Sequence, residues 1–503
     1  MFEGVGAGGL LDAMRDAQRA ERRDTARRLL AMGRFTQQRL ADAGDEHGNW
    51  CVDDWEAIAA EVAAQLGWSR HRASSQMNQG VTLLERLPRL AEVFAAGDVD
   101  PWIITVSVYR TGLLVDPDAL AAVDALLAEQ APYWNARSRE RVAELIDWIV
   151  VQHDPDAVRQ ATQAEVDRHI GFAPDINGMT DIYGSLRATA AAALNARLNA
   201  MAATVCRTDP RTTTQRRADA LEYLADGGLT LPCLCDTHPC PATETTSASP
   251  ASGAHTVIHV LPDPPDHAAE AAEQAGATTT AATGGRRVVH LYATQSTLDG
   301  TGTTPALLAG YGALPAAALR DLATRAAVRH LNLPHHFGVE DHYRPSAALA
   351  DCIRARDLTC RFPGCHHPAE SCDIDHTIPW PAGPTHPANL KLLCRTHHLL
   401  KTFYTGPTGW HDQQLPDGTV LWTAPTGRTH TTTPAGALYF PHLAHPSSDL
   451  PPPEHPTTDT ALSRERGLAM PTRRRTRADD RAYRITWERN RNHAHHDANP
   501  PPF

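Results

Sequence analysis

Apolar residues recur every three or four positions through the first 230 residues, the spacing that lays one stripe along an α-helix. Ile58, Val62 and Leu66 form one such stripe, and Gly67 follows where a helix would stop. A second helix is predicted after Ser69; it carries Met77, Val81 and Leu84 and ends near Pro88. Leu120, Val123 and Leu127 mark another, as do Val142, Leu145, Ile146 and Ile149. An alanine-rich helix with Leu186, Leu194 and Leu198 follows Gly184, and residues 209–224 resume the helical pattern. These stripes predict a helical core, with Trp68, Trp102, Trp134 and Trp148 as packing residues, and no catalytic constellation lies along them.

Further on the period changes. Residues 257–261 and 287–293 read as strands separated by an Ala/Thr/Gly-rich insertion, and residues 319–331 return to a helical pattern. Residues 243–253, rich in Ser, Thr, Ala and Pro, read as disordered. Partial alternation of Cys372, Ile374 and Ile378 predicts a short strand. Asn389 stands before Leu390, Leu392 and Leu393, where an N-capping side chain belongs, and that helix is expected to reach Lys401. The fold expected is a mostly α N-terminal region with a small mixed α/β segment, followed by a small C-terminal α/β module. The domains are 1–230 (helical), 231–343 (mixed, with insertions, continuing the first), 344–430 (the module) and 431–503 (Pro-rich linker and basic disordered tail).

Charge narrows the classes of function. The 503 residues carry −11, which argues against a body that coats nucleic acid nonspecifically. The tail is the exception: residues 464–503 hold ten Arg against five acids, +5, leaving −16 for the remainder. Arg473, Arg474, Arg475 and Arg477 there are either salt-sensitive phosphate contacts or part of a solubilising tail. No apolar run of about 18 residues and no secretion signal is present, so the expectation is a cytoplasmic protein without a membrane partner. Reduced thiols are then available for metal, and ten cysteines in so long a chain do not make a disulfide framework.

Four residues carry the sharpest chemical signal. Cys360 and Cys365 flank Arg-Phe-Pro-Gly, whose Pro363 and Gly364 favour a tight turn, and Cys394 and His397 are three apart, one helical face. Two pairs of soft ligands closing around one loop are what a tetrahedral structural Zn2+ requires. In zinc-finger peptides such a site supplies roughly 10–16 kcal/mol, here in place of a core the segment is too small to build. His397 and His398 are adjacent, so on a helix their side chains diverge by about 100° and serve different sites. Cys233, Cys235, His238 and Cys240 form a second, more compact group; four ligands within eight residues strain one tetrahedral site, and the alternative is a reduced surface loop. His330, His335, His336 and His342 lack cysteine or carboxylate partners and read as surface residues.

Asp375-His376, Asn389 and His398, set inside this cysteine frame, resemble the HNH endonuclease motif of the ββα-metal fold. The stretches Arg-Phe-Pro-Gly-Cys, Asp-Ile-Asp-His and Asn-Leu-Lys-Leu-Leu-Cys-Arg-Thr-His-His resemble a large actinobacterial family that joins a long domain of unknown function to a C-terminal HNH module. His397 stands where many relatives carry cysteine. The resemblance implies a metal-dependent phosphodiester hydrolase. In it His376 is the general base, Asp375 and His398 hold Mg2+ or another divalent ion, and Asn389 fixes the loop and orients His376. DNA is the implied substrate and RNA the alternative; a protein partner of the helical domain is left open. Arg361, Arg395 and Lys401 are candidates to reach phosphates, whereas Arg354 and Arg356 read as solvated helix residues. The rival reading is a catalytically silent zinc-stabilised module that binds nucleic acid or protein.

Overall fold

The computed structural model describes residues 2–44, 46–158, 168–174, 180–186, 188–225, 227–236, 240, 255–263, 288–309, 311–324, 326–406, 409–448, 450 and 469–498. Seven helices open the chain: α1 (Ala7–Ala43), α2 (Asp54–Leu66), α3 (Arg70–Glu85), α4 (Pro88–Ala95), α5 (Pro101–Arg110), α6 (Pro117–Gln130) and α7 (Arg139–His153). Their boundaries have local causes. Asp53 caps α2 by accepting from Glu56 N, Gly67 closes it at φ 65°, and Ser69 caps α3. Proline occupies the first turn of α4, α5 and α6, where its missing N–H costs no helical bond. The stripes converge on a core that includes Leu83, Leu87, Phe94, Ile103, Val123, Leu127, Val142 and Ile146. Trp134 is buried there, but Trp148 is 66% exposed and is not a packing residue.

An antiparallel hairpin, β1 (His169–Pro174) and β2 (Thr180–Ser185), precedes α8 (Ala188–Ala202) and α9 (Thr213–Ala225). A five-stranded mixed sheet follows, built from β3 (His255–Leu261), β4 (Val288–Thr294), β5 (Ala306–Leu308), β6 (Gly312–Leu314) and β7 (Ala327–His330) in the order β6-β5-β4-β3-β7. Two short helices, α10 (Gln295–Asp299) and α11 (Ala316–Ala323), lie among these strands in sequence. The helix expected over residues 319–331 is therefore only half right: α11 ends at Ala323 and β7 joins β3 in parallel. Residues 243–253 and the insertion 264–287 lie outside the described residues.

After α12 (Ala347–Asp357) comes a hairpin, β8 (Cys372–His376) and β9 (Leu390–Cys394), then α13 (Arg395–Phe403), a meander β10 (His411–Gln414), β11 (Val420–Thr423) and β12 (Thr429–Thr432), and α14 (Arg477–Ala498). This unit does not stand alone. Ala60 and Ala64 of α2 share one core with Cys360, Phe362, Leu393, Leu400, Trp410 and Trp422. The Tyr404 hydroxyl donates to Val52 O at 3.1 Å.

The tail also differs from its sequence expectation. Rather than being disordered, α14 docks on the N-terminal helices: Arg489 donates to Asp154 at 2.6 Å, and Asn492 to the carbonyls of Asp156 and Val158. Arg473 and Arg477 both bond Asp53, so these two arginines are engaged within the chain. No described helix is long and apolar enough to cross a membrane.

Candidate functional site

The β8–β9 hairpin and α13 place the sequence-derived candidates in two neighbouring clusters. Residues 390–394 were expected as the start of a helix; they form β9 instead, buried at every position and paired with β8 from Cys372↔Cys394 to His376↔Leu390. A strand buried on both faces loses the polar alternation that would have identified it. Cys394 thus ends a strand, and His397 sits in the first turn of α13.

The first cluster gathers Cys360, Cys365, Cys394 and His397, whose ligand atoms lie within 4.8 Å of one another. His397 Nδ1 is 3.3 Å from Cys394 Sγ and 3.5 Å from Cys360 Sγ. Its ring stacks on Phe362 at 4.0 Å. The donor chemistry fits a dication. Burial pushes the Cys360 thiol well above its ordinary value, and the adjacent Cys360 and Cys394 sulfurs push Cys365 up too. Hydrogen bonds from Cys360 and Cys365 instead favour the thiolate at Cys394. Unaided, the group favours one thiolate; a dication at its centre would stabilise all three. The cluster could therefore hold a metal such as zinc.

The second cluster surrounds Asp375. Its Oδ2 accepts from Lys391 Nζ at 2.8 Å and from Lys401 Nζ at 2.7 Å. Asp412 of β10 pairs with the same two ammonium groups, at 2.5 and 3.3 Å. Burial opposes the charge on Asp375, but Lys391 and Lys401 outweigh it and hold the carboxyl below the ordinary range. Lys401, a candidate phosphate contact in the sequence, is buried in this network instead, also donating to His376 O at 2.7 Å. The other carboxylate oxygen, Oδ1, lies 3.6 Å from His398 Nε2, and His398 Nδ1 lies 2.9 Å from Asp373 Oδ2. His397 and His398 thus face different clusters, as their divergence on one helix dictates.

His376 is buried beneath Tyr343, ring centroids 5.4 Å apart, with Nε2 2.9 Å from Thr385 Oγ1. Thr385 in turn donates to His342 O at 2.6 Å. Its hydroxyl proton being spent there, the Thr385 oxygen accepts from His376 Nε2–H, which leaves Nδ1 as the basic nitrogen. Asn389 is not a helix cap. Its Oδ1 accepts from Ile378 N at 2.8 Å, and its Nδ2 donates to Ile378 O and Pro384 O at 3.0 and 2.8 Å, cinching the loop between β8 and β9.

Several residues that shape the site escaped the sequence reading: Thr385, Lys391 and Asp412. Arg356 was read as solvated, yet it is 1% exposed, and Arg361 is buried rather than directed at phosphate. Asp357, wholly buried between these two arginines, is held below the ordinary carboxylate range by them although burial opposes its charge. His330, His335, His336 and His342 are exposed, as expected. In the middle of the chain Cys233, Cys235 and Cys240 do come together, and their fourth partner is Cys206. His238 lies outside the described residues.

Residues 16–282 and 266–357 match the domain of unknown function DUF222, and the chain belongs to that family. The matches end before Cys360, so the hairpin and α13 lie beyond them. Two similar proteins come from Mycobacterium tuberculosis. The uncharacterized protein Rv3776 is 41% identical over 502 residues, 98% of this chain and 91% of its own. The uncharacterized protein Rv2100 is 42% identical over 512 residues, 98% of this chain and 90% of its own. No solved structure matches.

Proposed function

We propose that residues 344–430 form an HNH endonuclease module of the ββα-metal type that hydrolyses phosphodiester bonds in DNA. One observation carries the reading: Asp375 Oδ1 and His398 Nε2 face each other at 3.6 Å, with the other nitrogen of His398 bound to Asp373. A carboxylate on the remote nitrogen fixes the tautomer and turns the near lone pair toward a metal position, the arrangement common to metal-ligating histidines. Asp375 and His398 would hold the divalent ion, Mg2+ or a similar cation. When bound, it supplies Lewis acidity to a phosphate oxygen and stabilises charge on the leaving oxygen.

The remaining work falls to the chain's own groups. His376 takes a proton from the attacking water at Nδ1, the tautomer being set by Thr385. Asn389 keeps the loop between the two strands closed, and through it the position of Thr385. Lys391 and Lys401 keep Asp375 ionised and fix its rotamer, so that Oδ1 alone is presented. Structural zinc on Cys360, Cys365, Cys394 and His397 ties the turn before β8 to the end of β9 and the start of α13.

The test is nicking of supercoiled plasmid with Mg2+ or Mn2+, wild type beside His376→Ala. Metal-dependent nicking lost in the variant supports the reading. A zinc-loaded wild type that cuts neither DNA nor RNA with Mg2+, Mn2+, Ni2+ or Zn2+ replaces it with a silent binding module.

A further inference from the structure

We propose that Cys206, Cys233, Cys235 and Cys240 bind a second structural zinc ion as four thiolates, in a centre that belongs to the DUF222 region rather than to the C-terminal module. The inference is independent of the nuclease reading.

Geometry comes first. All four sulfurs lie within 4.8 Å of one another, and Cys206 Sγ is 3.3 Å from Cys233 Sγ. None of the cysteines is in a disulfide. Cys206 stands in the connection between α8 and α9, whereas Cys233 and Cys235 lie on the irregular run that follows α9. In an extended chain, residues two apart point to one side, so Cys233 and Cys235 can converge on Cys206. A ligand brought from 27 residues away removes the strain of drawing all four from one short loop. Cys-x-Cys supplies two vertices, Cys240 a third and the α8–α9 connection the fourth.

The two segments are already registered by bonds that do not involve sulfur. Leu231 N donates to Thr204 Oγ1 at 3.0 Å, Leu234 N to Asp209 Oδ2 at 2.9 Å, and Arg211 Nη2 to Pro232 O at 2.7 Å. Asp209 is buried and ion-paired with Arg211 and Arg216.

The region also needs such a clasp. Among the described residues from 188 to 240, only Met201, Ala202, Asp209, Ala220 and Leu231 are buried. That is too little apolar surface to hold two helices and an irregular strand by packing alone. Zinc binding, with the thiol protons released to solvent, couples metal affinity directly to the folding of such a segment.

The experiment measures metal, not activity. Full-length protein purified under reducing conditions should contain two zinc ions per chain by elemental analysis, and Cys206→Ser and Cys394→Ser should each contain one. His238→Ala should keep both. Should Cys206→Ser prove insoluble, wild type alone decides: mass-mapped alkylation should find Cys206, Cys233, Cys235 and Cys240 protected until a chelator is added. One zinc in wild type, lost in Cys394→Ser, overturns the proposal. So does retention by Cys206→Ser with loss in His238→Ala, alkylation rates unmoved by chelator, or a Cys206–Cys233 disulfide in the purified chain.

Discussion

Arg356, in the last turn of α12, donates from Nη2 to the carbonyl of Leu390 at 2.7 Å, and from Nη1 to Pro387 O at 2.8 Å. Leu390 is the first residue of β9, so one guanidinium fixes where the second strand begins. Asp357 neutralises that guanidinium at 2.8 Å and accepts from Leu392 N at 2.9 Å on the same strand. Arg356→Ala would leave this acid buried with half its cationic support, and removing one member of a buried pair costs about 3–5 kcal/mol. Urea unfolding should show a loss of that size. A change below about 0.5 kcal/mol, the scale of an ordinary surface substitution, would return Arg356 to the solvated class.

Gly364 closes the turn between Cys360 and Cys365 at φ 73°, and a Cβ there would stand 2.4 Å from the carbonyl oxygen of Trp68. Gly364→Ala combines left-handed strain of about 1–3 kcal/mol with a backbone clash. It should lower stability and weaken zinc retention against a chelator, while Pro363→Ala should do neither to a similar degree. Equal zinc retention by both variants would detach the turn from the connection between α2 and α3.

His397→Ala should lose one zinc and unfold more readily. His398→Ala should keep its zinc content and melting temperature and lose plasmid nicking. Elemental analysis and a nicking assay on the same two preparations separate the outcomes; loss of zinc in both variants would mean that the two imidazoles share a site.

His376→Ala should lower cleavage by about 10²–10⁴-fold, the usual cost of losing a general base, with zinc content unchanged. Thr385→Val removes the acceptor that sets the tautomer and should cut the rate by a smaller factor. Equal rates in wild type and His376→Ala would place the chemistry elsewhere.

Burial holds the His259 imidazole down to about 3, with His290 and Arg329 adding to the effect. A depressed base binds fewer protons folded than unfolded, so the stability it confers is present above about pH 6.5 and is lost as the pH falls toward 3. Between pH 6.5 and 5 one such group costs about 1.6 kcal/mol, the slope rising toward about 1.4 kcal/mol per pH unit. Urea unfolding across that interval should be shallower for His259→Phe; an identical slope would show that His259 does not titrate on unfolding.

Legibility in the sequence followed the chemistry of the residue. Cys360, Cys365, Cys394 and His397 were readable because soft ligands in short pairs have few other uses, and the stripes of α3 and α7 because solvent lies on their far side. β9 was not readable: Leu390–Cys394 is buried throughout, and a short apolar run after Asn389 fits a helix start equally well. Cys206 was missed because its partners lie a full helix away in sequence. Arg356, Lys391 and Lys401 were missed for a different reason. Nothing in a lone cation reveals that a buried carboxylate or carbonyl waits for it, and base rates favour the surface.

Asp53 caps α2 and also bonds Arg473 and Arg477, and Cys51 N donates to Pro471 O at 2.8 Å. These partners lie more than 400 residues apart, with Arg477 424 positions beyond Asp53. During synthesis at about 5–20 residues per second, that interval is on the order of tens of seconds to more than a minute. The first helices can collapse early, but one of their most buried acids waits for counter-charges the ribosome has not yet made. Until Arg473 and Arg477 are made, Asp53 holds its bond to Glu56 N but not its two arginine partners. A chain interrupted before Arg473 would leave the Asp53 cap of α2 without these two counter-charges.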